Sequence, residues 1–272
     1  MVGENLGLEA DLNKMILNAE QMRAKYEERS ESGDPMAHSY MLGTAGEQVI
    51  CFIGGQHSRD PGDPFYDSMV EWHHKFIAQA GNTDVLVLVE GGVVGPVCAT
   101  IPEAIAQSDE NAVTRLLFSE QPGCTVESPE PSTDYEVAKM LEKFTPDEVY
   151  AYYVLRQHDQ WLRGDRDREP DIDQYLLKVI NKYGGESIDV TSMRSMIERV
   201  TGQHFDQENA EISQRMSDPS TSPISEYCNY LRDEVLLDRI RSAWSSGQSV
   251  FVAYGSGHAI KLEPALRQLV DI

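Results

Sequence analysis

The sequence lacks the features that mark membrane, secreted and nucleic-acid-binding proteins. No apolar run approaches the length that crosses a bilayer. The first residues, MVGENLGLEADLNKM, lack the basic region and the apolar core of a secretory signal. Basic residues are scarce, 23 Lys and Arg against 45 Asp and Glu, and the net charge of −22 repels phosphate backbones. We therefore expect neither a nucleic-acid partner nor a membrane partner.

Cysteine is also scarce, and no two of the four cysteines form a CxxC pair. They are Cys51, Cys98, Cys124 and Cys228. Two of them lie in strand-like runs, so we expect buried free thiols and a cytoplasmic location, because the cytosol keeps thiols reduced. The Gly-x-Ser-x-Gly turn is absent as well, so we expect no serine nucleophile of that kind.

Strand and helix patterns alternate at both ends of the chain. Continuous apolar runs, VICFIGG, VLVLV and VFVAYG, are typical of strands buried on both faces of a parallel sheet. We therefore predict an α/β fold with a central, mostly parallel sheet flanked by helices, built as a single domain over 1–272. Two related halves, 36–131 and 223–272, would enclose a mostly helical insertion over 132–222.

Local signals predict the limits of several elements. A hairpin is expected over 37–55, and the helix after it should begin at the capping residue Asp63, carry proline at its first position and end at Gly81. Ser132 or Thr133 should cap a later helix. Further helices are expected over 8–29, 145–164, 171–183, 190–200, 223–245 and 259–270.

Two distant stretches share one plan: CFIGGQHSRDPGDP (51–64) and FVAYGSGHAIKLEP (251–264). Each is an apolar strand, a Gly-x-x-His turn and the start of a helix, and the turns carry His57 and His258. A third polar residue, Glu90, directly follows the apolar run VLVLV. Because the carboxyl ends of parallel strands meet at one edge of a sheet, we expect these three side chains at one rim, where ligands bind.

A fourth candidate comes from helical spacing. An apolar stripe on the predicted helix 223–245 also includes Arg232, and a buried guanidinium needs a carboxylate or a ligand. Helix and strand lengths place Arg232 level with the rim that carries His258. An arginine whose head group reaches solvent fits the same pattern. Lesser candidates for substrate binding are Arg59, Glu127 and Arg156.

This pattern resembles the erythromycin esterase/Tiki/TraB superfamily. The matching residues are GGQH (54–57), Glu90 and GSGH (255–258), together with an arginine-bearing helix before the second motif that matches at Arg232. The resemblance covers both chain ends and little of 95–222. It implies a sheet flanked by helices with both motifs at one cleft. Members include antibiotic-inactivating esterases, metal-dependent membrane peptidases and regulatory proteins. This chain departs from the peptidase branch in having no recognisable signal or membrane anchor, and from macrolide esterases in lacking a long helical substrate domain.

Together with this resemblance, the residues predict a hydrolase that cleaves an ester or amide. His57 would act as general base on water, with Glu90 orienting it or sharing the proton transfer. Arg232 and His258 would stabilise the oxyanion or bind an acidic group of the substrate. In a metal-assisted version, His57, Glu90 and His258 would bind one divalent Zn, Mn or Fe ion and leave a position open for water. Both versions fit the sequence.

Two other readings fit the same residues. The first is a non-catalytic binding or regulatory protein whose cleft holds haem or an anion, since two facing histidines also suit iron. The second is a vestigial cleft in a protein that acts through its acidic surface. The partner of an active cleft would be a small-molecule or peptide substrate, and the middle third could cover the cleft or form a homodimer interface.

Overall fold

The computed structural model describes most of the chain, and its elements are given for those residues. The described residues are 12–43, 48–93, 95–163, 171–183, 188–206, 208 and 210–271. The first turn of the helix predicted over 8–29 and the turn of the predicted hairpin lie outside them. Contacts divide the chain into two compact units, Met1–Glu130 with Asp233–Ile272, and Pro131–Arg232. The limits predicted for the two related halves, 36–131 and 223–272, and for the insertion, 132–222, stay predictions.

The first unit contains a five-stranded sheet that confirms the predicted α/β fold. Its strand order is β1-β2-β5-β3-β4, with β1 antiparallel to β2 and the other neighbours parallel. The strands are β1 Tyr40–Gly43, β2 Val49–Gly55, β3 Val85–Val89, β4 Cys124–Glu127 and β5 Ser249–Gly255. Every residue of β2, β3 and β5 is buried, as their continuous apolar runs predict.

Helices make up most of the rest of the described chain. They are α1 Ala19–Ser30, α2 Pro64–Ala80, α3 Ile101–Phe118, α4 Thr133–Leu141, α5 Pro146–Arg163, α6 Ile172–Lys182, α7 Val190–Thr201, α8 Ala210–Ser217, α9 Pro223–Ser245 and α10 Ser256–Val270. Helix α2 begins and ends at the predicted caps: the Asp63 side chain accepts a hydrogen bond from the Phe65 N–H, and Gly81 is the C-cap. Ser132 caps α4 in the same way.

Helix α3 has no counterpart among the predicted elements. Its helical spacing is broken in the middle, where Ser108 (φ −167°, ψ 50°) and Asp109 (φ 45°, ψ −142°) leave helical geometry. An apolar pattern interrupted in this way shows no continuous period of 3.6 residues, which is the signal that a helix prediction needs.

The sheet of the first unit has helices on both faces. Helices α2 and α3 cover one face, where Phe76 meets Phe251 of β5. Helix α10 and the later turns of α9 cover the other, where Leu236 and Leu262 join Phe52. Each such side chain, once fully buried, stabilises the fold by about 1.5–3 kcal/mol.

The register of β5 between its neighbours determines which residues share the carboxyl edge of the sheet. Gly55 of β2 pairs with Gly255 of β5, and Val89 of β3 pairs with Ala253. The three strands therefore end nearly level, and the residues that follow them emerge side by side.

The second unit is helical in its described part. Apolar residues of α5, α6 and α7 form its core, among them Leu155, Leu176 and Ile197. His158 is also buried there, with Nδ1 2.7 Å from Ser213 Oγ. Across the described part of both units, no helix combines the length and the apolar character that crossing a bilayer requires.

Candidate functional site

The first histidine, His57, lies two residues beyond β2 and faces a pair of carboxylates from α3. Its Nδ1 is 2.8 Å from Glu110 Oε1 and 3.8 Å from Asp109 Oδ2. Gly55 allows this approach: a Cβ at this position would overlap the Glu110 carboxylate and lie 2.9 Å from its Cγ. Only a glycine at position 55 therefore leaves room for the Glu110 carboxylate to contact His57.

Charge at this end of the sheet is strongly negative. The pKa of His57 is raised to about 9, first by the side-chain contact with Glu110 and then by the charges of Glu110, Glu90 and Asp109, while burial opposes the rise. Burial and the neighbouring Glu110 raise the pKa of Asp109 to about 6, against the opposing charge of His57. In this geometry His57 is an imidazolium at neutral pH.

The second histidine, His258, lies in the first turn of α10. Its Nδ1 is 2.6 Å from Oδ1 of Asp233, a fully buried residue of α9. The other oxygen of Asp233 is 3.4 Å from the ammonium of Lys261, which is also buried. A carboxylate at Nδ1 keeps a proton on that nitrogen, so Nε2 of a neutral ring is the acceptor.

Glu90 lies close to both imidazoles. Its Oε2 accepts a hydrogen bond from the Gly255 N–H at 2.7 Å, and its Oε1 is 3.8 Å from His258 Nε2. His57 Nε2 and Glu90 Oε2 lie 3.2 and 3.3 Å from the point where a Cβ of Gly255 would be. Asn111 of α3 holds the backbone here, because its amide oxygen accepts from the Glu90 N–H. The structure thus brings His57, Glu90 and His258 together at one rim.

Two other candidates of the first unit have different surroundings. Arg59 is exposed in the loop after His57, and its charge acts on the pKa of Asp109, where it opposes the rise. The Glu127 carboxylate accepts two hydrogen bonds from the Arg239 guanidinium, from Nε at 2.7 Å and from Nη2 at 2.9 Å. This hydrogen bonding lowers the pKa of Glu127. Glu127 is therefore engaged in an ion pair with Arg239.

Arg156 and Arg232 belong to the helical unit Pro131–Arg232. The Arg156 guanidinium lies 3.5 Å from the Tyr152 hydroxyl and 3.8 Å from Cys228 Sγ. Arg232 is half-buried and close enough to affect the pKa of Arg156. Asp233, the next residue of α9 along the chain, contacts His258.

Three carboxylates of the site, Asp109, Glu110 and Asp233, were missed from the sequence. Asp233 had a usable signal, since it is an acidic residue next to the apolar stripe of a predicted helix. Asp109 and Glu110 had only a weak one, the run SDEN inside an otherwise apolar segment. Their role depends on the break in α3, which no local pattern announces.

The described side chains that could share a metal ion differ from the predicted set. One ligand atom each from His57, Asp109 and Glu110 lie within 4.8 Å of one another. Among the described residues, Glu90 and His258 are not part of such a group. Comparisons of the chain with protein-family models, with curated proteins and with solved structures find no match.

Proposed function

We propose that this protein is a hydrolase that cleaves an ester or an amide with a water molecule activated by histidine and glutamate. One observation carries the proposal: Glu90 lies close to two imidazoles, and each imidazole meets a fully buried carboxylate, Glu110 or Asp233, through its Nδ1. Carboxylate–imidazole pairs that orient a ring toward a cleft are a recurrent arrangement for moving protons.

His258 is the proposed general base. Asp233 holds its Nδ1, and its Nε2 points at Glu90 Oε1 across 3.8 Å, too far for a direct hydrogen bond but suited to a bridging water. The water would give its proton to Nε2 as its oxygen attacks the carbonyl carbon. Nε2 would then return that proton to the leaving alcohol or amine. This assignment moves the base role from His57, whose ring is already charged.

His57 is proposed to stabilise the negative charge that develops on the carbonyl oxygen. Backbone N–H groups at the start of α10 are a second source of positive potential, because no described side chain caps this helix after Gly255. Neither His57 nor these N–H groups require Arg232. Its predicted role in binding the oxyanion or the substrate stays a prediction.

The resemblance to the erythromycin esterase/Tiki/TraB superfamily supports the same proposal, and membership of that superfamily is part of it. The substrate would be a small molecule or a peptide with an ester or amide bond. The cytoplasm is the proposed location, which the four free thiols support. In a metal-assisted version of the reaction, a divalent ion would supply a Lewis acid at the rim.

The proposal is tested with a panel of p-nitrophenyl esters and anilides, using His258→Asn and Asp233→Asn. We expect both variants to lose about 100-fold or more of kcat, the usual contribution of a general base, under conditions where circular dichroism shows each variant folded, because Asp233→Asn also lowers stability. His74→Asn is the matched control, since His74 is an exposed histidine of α2. Unimpaired hydrolysis by His258→Asn, or no hydrolysis of the panel together with saturable binding of haemin or phosphate, would contradict the proposal.

A further inference from the structure

Glu110 is a buried carboxylate without adequate hydrogen bonding. Its side chain is 0 % exposed, and neither oxygen accepts a hydrogen bond of good geometry from the described residues. The 2.8 Å approach of His57 Nδ1 to Oε1 is an ion-pair contact that does not align as a hydrogen bond. This single contact with the His57 ring leaves Oε2 without a hydrogen-bond partner among the described residues, and a buried polar atom in this state is costly unless a cation or a further donor satisfies it.

The backbone is strained at the two residues that flank this carboxylate in space. Among the described residues, His57 (φ 54°) and Asp109 (φ 45°) are the two non-glycine residues with positive φ. Conformations of this kind cost on the order of 1–3 kcal/mol each and persist where the surrounding structure enforces them, often at functional sites. Both strained residues contribute a side chain to the same cluster.

The break in α3 explains how two consecutive carboxylates reach one histidine. In a regular helix, neighbouring residues point about 100° apart, because 3.6 residues complete a turn. The non-helical Ser108 and Asp109 interrupt that geometry, and Asp109 and Glu110 both face His57 Nδ1, at 3.8 and 2.8 Å. The break in α3 thus directs two carboxylates toward one imidazole, which is the geometry of a metal ligand set.

We infer that His57, Asp109 and Glu110 form a site for one divalent transition-metal ion of the Mn²⁺, Fe²⁺ or Zn²⁺ class. Bonds of about 2.0–2.2 Å place neighbouring ligand atoms about 3.0–3.4 Å apart, and the distances of 2.8 and 3.8 Å bracket that spacing. One imidazole and two carboxylates suit these ions. The ion takes the place of a proton on His57 and satisfies Glu110.

This ligand set is distinct from the one predicted from the sequence, because it excludes Glu90 and His258. It shares His57 with the proposed hydrolysis but does not depend on that proposal, since binding of the ion is measured directly on a protein of any activity. The two ligand sets predict opposite changes in metal affinity for Asp109→Asn, Glu110→Gln, Glu90→Gln and His258→Asn. The affinities of these four variants therefore decide between the two sets.

The test is titration of EDTA-treated, dialysed protein with MnCl₂ and ZnCl₂ by calorimetry, with Mn²⁺ electron paramagnetic resonance as a second readout. We expect one saturable site in the unaltered chain and at least about 100-fold weaker binding in Asp109→Asn and Glu110→Gln, which keep the shape of the side chains. The matched control on the same helix is Glu103→Gln, whose carboxylate is exposed and accepts from the Ala99 N–H.

Glu90→Gln and His258→Asn should bind the ion within about three-fold of the unaltered chain. The inference is overturned if the unaltered chain takes up neither ion, or if these two variants lose as much affinity as Asp109→Asn and Glu110→Gln. Thermal unfolding of each variant without metal separates lost ligands from lost folding, and His57→Ala serves if Glu110→Gln does not fold, because His57 is half-exposed.

Discussion

The two Gly-x-x-His turns share a sequence plan and lie side by side, yet they build different surroundings for their histidines. His57 is in a loop with positive φ, half-exposed, and faces carboxylates from a broken helix. His258 lies in the first turn of a helix, is 11 % exposed, and has its Nδ1 against Asp233 of helix α9 and its Nε2 3.8 Å from Glu90.

The difference is one of charge balance. At the end of β2, the carboxylates Asp109 and Glu110 face a single imidazole. At the end of β5, the carboxylate Asp233 faces both His258 and the ammonium of Lys261. An excess of negative charge attracts a proton or a cation, whereas a balanced cluster fixes a ring in place. The two turns of the repeated motif therefore differ in the charge that surrounds their histidines.

The largest expected effect comes from upsetting the balanced cluster with Asp233→Asn. This substitution leaves the buried Lys261 ammonium without its carboxylate, and breaking a buried pair in this way costs about 3–5 kcal/mol. Urea denaturation monitored by circular dichroism measures the free energy of unfolding. Asp238→Asn is the control on the same helix: its pair with Arg241 is on the surface, so we expect a loss below about 1 kcal/mol. Equal losses in the two variants would show that the cluster around Asp233 is not balanced as described.

The two motif glycines offer the next comparison, because Gly55 and Gly255 pair in register. Gly55→Ala drives a methyl group into the buried Glu110 carboxylate, and overpacking of this kind costs about 1–3 kcal/mol. Gly255→Ala meets its nearest neighbours at 3.2–3.3 Å, on the more exposed side chains of His57 and Glu90, so its cost should be smaller. Chemical denaturation of both variants under one set of conditions measures the difference. A larger loss in Gly255→Ala would reverse the stated asymmetry.

Much of this fold could be predicted from the sequence because its strands are continuous apolar runs. The runs that precede His57, Glu90 and His258 identified three strands, and parallel pairing then required their ends to share an edge. The caps of α2 could also be predicted, because Asp63 acts through a local hydrogen bond and Gly81 through its local backbone freedom.

The carboxylates of the site could not be predicted in the same way. Glu110 reaches His57 through a break in α3 that tertiary packing stabilises against helical preference. Asp233 faces His258 because α9 returns alongside the sheet at one particular rotation, and a shift of one residue would present Arg232 instead. Such details depend on contacts between elements remote in the chain.

The contribution of His57 to the pH dependence of stability is the next and smaller effect, and it is measured on metal-free protein. Its pKa of about 9 lies above the value of about 6.5 in the unfolded chain. The resulting stability is fully present below pH 6.5 and is lost as the pH rises through 9. Since the ring is half-exposed, we expect a loss of about 1 kcal/mol after allowance for screening. Two-dimensional ¹H–¹⁵N NMR titration gives the pKa directly, and Glu110→Gln should lower it, because the contact with Glu110 is its largest cause. An unshifted titration in that variant would contradict this cause.

The smallest expected effect on stability is that of Glu90→Gln, the residue close to both turns. The amide oxygen can still accept the Gly255 N–H that now bonds Oε2 at 2.7 Å, so the free energy of unfolding should change by less than about 1 kcal/mol. Hydrolysis should nevertheless fall, because a neutral amide cannot help a water give its proton to His258. Urea denaturation and ester turnover on the same sample separate the two outcomes. A large loss of stability with unchanged turnover would mean that Glu90 joins the two turns as a structural residue, and that its place close to the imidazoles serves folding rather than chemistry.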